Sequence, residues 1–502
     1  MGKVQKMNKL FLLLLLTYSF LRPQISLSNE PNKRKCNISA SEGKKLLQDS
    51  FGPEFLYSEQ EAQGKMPIFH HPSHMASFLF PNMKFSGSLP EEYVPQTAKA
   101  FEVPSFLIPE TELNTKVISA NFGQNEKLFH IEKDGETYYR YFIHPLEVNA
   151  IRRISKQYQR DSTTWVAMPS SSPRSLFVAK KGRPEDSFFA KTSILQDIGL
   201  FHRSIGKYKL IRAVKVNDIL TELKSKTQGK LKQSNKFWSF FNESLGIIPN
   251  QSLAHGLIYR STPKDLQENK DVFLVPWMSI IAADRGERLI DKLYRKSHYN
   301  DKLEFTWNEL AKPVLELHNL ITLDSGLSTE MHQQNMLLAI NKKSLKIEGL
   351  VLRDMDGMWV NYILRKKVLN QEIDEEALSI GKILALHHDK VGENMHFSYL
   401  SKIRLESFRW ILKYFLSKRD LKILLKMSDK YVLEAFNETF PNYHAENFSE
   451  LEQSWKSLQK DNTSPEEQKL FDQALKIRSN SNKKNSESIV KKLTEYYIRW
   501  IW

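Results

Sequence analysis

Apolar and polar positions divide the chain into stretches of distinct period. The segment Thr137 to Ile143, Thr-Tyr-Tyr-Arg-Tyr-Phe-Ile, is aromatic and strand-forming. Further strand patterns begin near Lys116, alternate weakly over Lys127 to Glu132, and recur at Trp165 to Met168, Ser175 to Ala179 and Phe188 to Leu195. Apolar residues at three- and four-residue spacing predict helices over Ile211 to Lys224 and Glu309 to Leu320. The runs Met336 to Ile340 and Ile347 to Leu352 flank Asn341-Lys342-Lys343, which predicts a hairpin. Beyond Tyr362 the pattern turns helical, over Ile373 to His387, Tyr399 to Phe415 and Leu421 to Phe436. Polar breaks at Asp461 to Pro465 and Ser479 to Ser488 precede a last helical stretch, Ile489 to Trp502. Nearer the amino terminus, Ser41 to Ser50 has a short helical pattern. Pro67 to Pro109 is rich in Pro, His, Phe and Ser and reads as loops with short extended pieces. The class expected is α+β, with a central, mainly antiparallel sheet domain. The boundaries expected are an export signal over 1–28, an α/β lobe over 29–150, a β-rich lobe over 151–361 and a helical lobe over 362–502.

At 502 residues the chain is too long for one ordinary core. Its 41% hydrophobic and 26% charged residues exclude a disordered or membrane-embedded composition. The formal charge of +15 favours anionic partners such as nucleotide, phosphate or polycarboxylate. With no arginine-rich tract and no zinc-finger spacing, nucleic acid is not expected as a partner. A single cysteine, Cys36, excludes an intramolecular disulfide and a cysteine metal cage. Lys3, Lys6 and Lys9 precede an apolar run from Leu10 to Leu21, which is short for a membrane span. Ser26-Leu27-Ser28 then places small residues at a cleavage position, so the segment reads as a secretory signal peptide and the mature chain as periplasmic or secreted. A membrane-anchored or a cytoplasmic protein is the alternative.

Four constellations carry candidate chemistry. In Pro169-Ser170-Ser171-Ser172-Pro173-Arg174-Ser175, hydroxyls and loop amides would cradle phosphate oxygens and Arg174 would pair with them; a plain turn is the other reading. Lys191 and Arg203 are cations close to strand or turn segments. Glu330-Met331-His332-Gln333-Gln334-Asn335, an apolar strand, and Arg353-Asp354-Met355-Asp356-Gly357 together suit a nucleotide–metal site, because carboxylate and amide oxygens are ligands that Mg²⁺ prefers; a polar loop and a type I turn are the other reading. His144-Pro145 ends the aromatic strand, and His70-His71-Pro72-Ser73-His74 lies upstream in a Pro-rich loop where no carboxylate is fixed at metal-ligand spacing.

Taken in order, these pieces resemble the siderophore synthetases that work independently of non-ribosomal peptide synthetases, the aerobactin-synthetase type. That family shows His-Pro-x-His, then His-Pro at a strand end, a Pro-x-Ser-Ser-x-Arg-Thr loop, a Lys and an Arg, a Glu-x-His-x-Gln-Asn segment, and Arg-Asp. The counterparts are His71 to His74, His144-Pro145, Pro169 to Ser175, Lys191, Arg203, Glu330 to Asn335 and Arg353-Asp354. Ser175 stands for the usual Thr, and Leu146-Glu147 for the usual Trp-Gln.

The resemblance implies a multi-lobed synthetase with the ATP site in its central lobe. Such an enzyme adenylates a carboxylate such as citrate and then condenses it with an amine or hydroxyl. Ser170, Ser172, Arg174, Ser175, Lys191 and Arg203 would hold the triphosphate and Asn335 would contact the nucleotide or the metal. Glu330 and Asp354 would place Mg²⁺, and His332, His144 and Arg260 would face the carboxylate. Arg203 and His332 would be the catalytic pair, and a homodimer is compatible with the family. Two rivals stand beside this reading. One is an exported, catalytically degenerate relative that binds a siderophore, carboxylate or partner. The other is a kinase-like phosphotransferase, against which His332-Gln333-Gln334-Asn335 lacks the aspartate base of a kinase loop.

Overall fold

The structure is a computed structural model. It describes residues 100–469, together with 90 and 93, apart from 121, 123–125, 199–200, 251–254, 270, 282, 285–286, 373–399 and 401–402. The chain divides into Met1–Asn37 and Ile38–Trp502, and every described residue belongs to the second unit. The export signal, the His70 to His74 loop and the expected helices at Ser41 to Ser50, Ile373 to His387 and Ile489 to Trp502 lie outside the described residues.

A mixed α+β architecture is built on three larger sheets. The seven-stranded sheet runs in the order Phe101–Glu102, Trp165–Ser172, Ser175–Lys180, Arg183–Thr192, Leu257–Ser261, Asn242–Pro249, Leu113–Ile118, and every neighbouring pair is antiparallel. A four-stranded antiparallel sheet orders His130–Lys133, Glu136–Phe142, Ser105–Pro109 and Gln159–Arg160. A five-stranded sheet orders Lys230–Leu231, Lys236–Phe240, Ile347–Leu352, Met336–Asn341 and Val272–Pro276; its one parallel pair joins Lys236–Phe240 to Ile347–Leu352.

The two-residue side-chain period of a strand decides how these sheets layer. Ala167, Leu176, Val178, Phe188, Ala190 and Tyr259 pack with Phe106, Ile108, Tyr139 and Tyr141 of the four-stranded sheet. Their strand neighbours Met168, Phe177 and Phe189 point the other way, against Val272, Leu274, Leu337, Ala339 and Val351 of the five-stranded sheet. The far side of the five-stranded sheet shares one core with the helices, from Ile205 to Leu458. Helices Lys312–Ser325, Lys418–Thr439 and Phe448–Asp461 belong to it. Ser417 and Asn447 cap the last two through their side-chain oxygens. No helix among the described residues is long and apolar enough to cross a membrane.

The helix Lys207–Thr227 crosses the Asn242–Pro249 strand at Gly246, where an added Cβ would stand 3.0 Å from a Leu210 methyl carbon. Asn217 on this helix accepts a hydrogen bond from the Glu243 N–H at 2.9 Å, which holds the start of the strand in place.

Several elements depart from the sequence expectation. Lys127 to Glu132 is a short helix, Glu126–Phe129, followed by the strand His130–Lys133. Pro169 to Ser175 is not a loop. Ser172 pairs with Ser175, so only Pro173 and Arg174 form the turn of a tight hairpin. The expected helix from Glu309 begins as the π-helix Thr306–Ala311, and Tyr399 to Phe415 contains a second, Ile403–Ile411.

Candidate functional site

The site forms where the edge of one hairpin meets the open end of another. Lys191 lies on the Arg183–Thr192 strand, where it pairs with Ser175 on one side and Ile258 on the other. Arg260 pairs with Phe189, so Lys191 and Arg260 are diagonal neighbours on the face turned toward the five-stranded sheet. On that sheet, Met336 pairs with Leu352, which joins the end of the 330–335 segment to the start of 353–357. Arg353 secures the junction: its N–H donates to the Asn335 carbonyl at 3.1 Å and its Nη2 to the Gln334 carbonyl at 2.6 Å.

The two halves meet through charge. Lys191 Nζ donates to Asp354 Oδ1 and to Asp356 Oδ1. Arg260 donates to Asp354 Oδ1 at 2.9 Å, and its Nε donates to Glu243 Oε1 at 2.9 Å. Lys191 is 1% exposed by its side chain and Asp354 27%, so the cation is the buried member and the carboxylate the more exposed one. Asp354 has φ 74° and ψ 58°, the left-handed region, which Asp tolerates better than most residues. That conformation belongs to the short turn Met355–Gly357, which brings both aspartates to Lys191.

Burial works against the Asp354 carboxylate, but Lys191, Arg260 and Arg174 outweigh it and hold its pKa well below the ordinary value. Asp356 is lowered in the same way, chiefly by Lys191 against its burial. Glu243, fully buried, moves upward because desolvation outweighs Arg260 and Lys191. Its Oε2 is buried without a hydrogen-bond partner among the described residues.

Further cations border this cluster. Arg174, buried at the hairpin turn, donates to the Arg203 carbonyl at 3.4 Å, and its own carbonyl accepts from Thr192 N–H at 2.9 Å. Lys209, in the first turn of Lys207–Thr227, donates to the Ser204 carbonyl at 2.8 Å. Burial, with Arg174 next and Asp356 opposing, lowers its pKa to about 8. One turn further, the Arg212 guanidinium lies 3.9 Å from the centre of the Trp359 ring.

The structure therefore brings Arg174, Lys191, Arg260 and Asp354 together, with the Arg203 backbone beside Arg174. Ser172 and Ser175 close the hairpin, and Ser170 is buried two residues earlier on its strand. Glu330, His332 and Asn335 belong to one tight segment at the same hairpin mouth. The Asn335 side chain donates to the Glu330 carbonyl at 3.3 Å, and His332 Nδ1 accepts from the Gln334 N–H at 3.1 Å. The Glu330 carboxylate lies so close to the turn that a Cβ on Gly357 would stand 1.9 Å from its Oε2. His144 is not one of the clustered charges but lies near the Pro173 carbonyl of the hairpin turn. It is fully buried, with Nδ1 accepting from the Leu146 N–H at 3.2 Å. Burial lowers its pKa to about 4, against the favourable influence of Glu147 and the Pro173 carbonyl.

Sequence reasoning did not single out Lys209, Arg212 or Glu243. Lys209 had a readable signal, a cation six residues after Arg203 at the start of a helix. Glu243 had none, since its role depends on a cross-strand neighbour.

A cluster of cations around two aspartates suits an anionic ligand with several charges, such as a nucleotide triphosphate. Among the described residues, no three His, Asp or Glu side chains form a metal-holding group. Mg²⁺ that travels with a nucleotide takes one or two carboxylates in addition to phosphate oxygens. Asp354, one carboxylate of this segment, is paired with Lys191 and Arg260.

The class these features define is an α+β protein with a cluster of largely buried charges between two packed sheets. No protein-family model matches the sequence, and no curated protein matches it. Solved structures share its fold. The petrobactin biosynthesis protein AsbB from Bacillus anthracis str. Sterne aligns over 72% of this chain and 63% of its own, with TM-score 0.50 and 15% identity. The chain thus spans less than two thirds of that protein's length. The aerobactin synthetase IucC from a hypervirulent pathotype of Klebsiella pneumoniae aligns over 82% of this chain and 73% of its own, with TM-score 0.52 and 14% identity. The likeness is one of fold.

Proposed function

We propose that the chain is an ATP-dependent synthetase that activates a carboxylate, of the citrate kind, and joins it to an amine or hydroxyl in the making of a siderophore. The observation that carries this reading is the meeting of Arg174, Lys191 and Arg260 with Asp354 at the mouth of the Met336–Leu352 hairpin. Residues separated by as many as 180 positions supply it, in a fold shared with siderophore synthetases.

In the proposed first half-reaction a substrate carboxylate oxygen attacks the α-phosphorus of ATP, a P–O bond breaks, and pyrophosphate leaves. In the second, an amine or hydroxyl attacks the acyl carbon, the acyl–O bond breaks, and AMP leaves. The chain's part is to hold two anions together and neutralise the charge that builds up. Arg174, Lys191 and Arg203 take the phosphates, with the hydroxyls of Ser170, Ser172 and Ser175 along the hairpin. Asn335 orients the nucleotide. His332 and Arg260 face the substrate carboxylate, and His144 supports the hairpin turn from behind. Mg²⁺, when bound, supplies positive charge to the phosphates, held by Glu330 and Asp354. Lys191 leaves part of its bonding to Asp354 and Asp356 as phosphate oxygens replace them.

Calorimetry with Mg·ATP tests the reading. Wild type binds, and Arg203→Ala and Arg174→Ala each weaken binding by about 1.5–3 kcal/mol, the worth of a charge-assisted hydrogen bond. Absence of binding at millimolar ATP would instead favour the exported, catalytically degenerate relative.

A further inference from the structure

The cations of the cleft differ in what neutralises them. Lys191 is held by two aspartates and Arg260 by Glu243 and Asp354. Arg174 and Lys209 instead end on backbone oxygens, the consecutive carbonyls of Arg203 and Ser204. Among the described residues, neither forms an ion pair with a carboxylate. Arg174 is 7% exposed and Lys209 half-buried. Asp354 and Asp356 act on Arg174, and Asp356 on Lys209, only from beyond ion-pair distance, and a buried or half-buried cation without a direct ion pair is costly in a folded protein unless an anion completes it.

We infer that Lys209 is a binding residue of the cleft, which together with Arg174 receives a phosphate group, and that anion affinity depends on the Lys209 ammonium being charged. The inference rests on the reading of the cleft as a polyphosphate site and adds to it a residue from a separate element, the start of Lys207–Thr227. The groups that face Lys209 are Arg174 on the hairpin turn, Lys191 on its strand, Asp356 on the Met355–Gly357 turn, and Arg212 on its own helix. Three of these four are cations, and the single carboxylate is engaged by Lys191. Burial first, and then the neighbouring cations, disfavour the ammonium form and bring the Lys209 pKa down to about 8. An incoming phosphate reverses that balance, so binding above this pH requires proton uptake.

The test measures inorganic tripolyphosphate and, separately, ATP by calorimetry on the full chain between pH 7 and 9.5. Wild type, Lys209→Arg and Lys209→Met are compared, and thermal melts report folding. For wild type, tripolyphosphate affinity falls relative to Lys209→Arg by up to about tenfold per pH unit above about 8, the slope of one linked proton. Lys209→Met binds roughly ten- to a hundredfold more weakly at pH 7, the loss of one charge-assisted contact. Lys209→Arg restores the affinity and removes the pH step. Equal affinities for wild type and Lys209→Met in folded protein would overturn the assignment. So would superimposable pH profiles for wild type and Lys209→Arg, or no tripolyphosphate binding to wild type. Tripolyphosphate binding with the Lys209 signature but no ATP binding would overturn the synthetase reading and leave this assignment in place. ATP binding insensitive to Lys209 would do the opposite.

Discussion

Replacing Lys191 with Met removes a cation that hydrogen-bonds both Asp354 and Asp356. The side chain is almost wholly buried, so no solvent takes its place, and a methionine fills a similar volume without charge. Asp354 keeps Arg260 as a partner. Asp356, 6% exposed by its side chain, loses its hydrogen-bonded cation and is left beside Asp354 with the more distant charge of Arg174 to oppose it. Breaking a buried ion pair by removing one partner costs about 3–5 kcal/mol, because the remaining charge is uncompensated. At roughly 2–4 °C per kcal/mol for a domain of 150–250 residues, and less for a longer chain, melting falls by on the order of 5–10 °C.

The sign with pH follows from the same charges. In wild type both aspartates have folded pKa values below their ordinary 3.8. Their contribution is present above that value and lost as pH falls through the lower, folded one. Without Lys191 the pKa of Asp356 rises, so the variant's deficit is largest at pH 7 and shrinks toward pH 4. Urea unfolding of wild type, Lys191→Met, Asp356→Asn and the double variant measures it. The double variant recovers part of the loss, giving a coupling of at least about 1 kcal/mol. A Lys191→Met deficit within about 0.5 kcal/mol, the range of ordinary surface substitutions, would refute this reasoning. Additive single changes would refute it too.

Gly357→Ala places a Cβ against Glu330 Oε2 and displaces that carboxylate; the expected result is weaker Mg²⁺ dependence of nucleotide binding, checked by calorimetry at two Mg²⁺ concentrations. His144 and His318, both buried, have folded pKa values brought by burial from 6.5 to about 4. The unfolded chain binds more protons between these values, so stability rises with pH from about 4 to about 6.5, and the double change to Gln flattens that slope in chemical unfolding. For the amino terminus the expectation is removal of 1–28, giving a mature chain from Asn29. Mass spectrometry of the native protein checks it, and an intact Met1 on a cytosolic protein would contradict it.

How much of this was legible in the sequence depended on the range of the interaction. The strand Glu136–Phe142 and the hairpin of Met336–Asn341 with Ile347–Leu352 were readable, because alternation and a polar turn are local signals. The buried strands Lys236–Phe240, Asn242–Pro249, Leu257–Ser261 and Val272–Pro276 were not separated from their surroundings. They are covered on both faces and so lack the polar alternation that marks a half-exposed strand. Within the site, Arg174, Lys191 and Asp354 stood out as residue types in a familiar order. That Asp356 would share Lys191, and that Glu243 would take Arg260, depended on strand register and a left-handed turn, which no local pattern encodes. The same applies to Ser172 and Ser175, whose pairing turns an apparent serine loop into a hairpin.

The most direct test of the central claim is pyrophosphate release by the purified chain given Mg·ATP and citrate, with hydroxylamine present to trap the activated acyl group. The account predicts release that requires a carboxylate, a citryl hydroxamate as product, AMP formed in equal amount, and loss of all three in Arg203→Ala. Nucleotide binding with no carboxylate-dependent pyrophosphate from any di- or tricarboxylate tried, or release of ADP and phosphate in place of AMP and pyrophosphate, would contradict it.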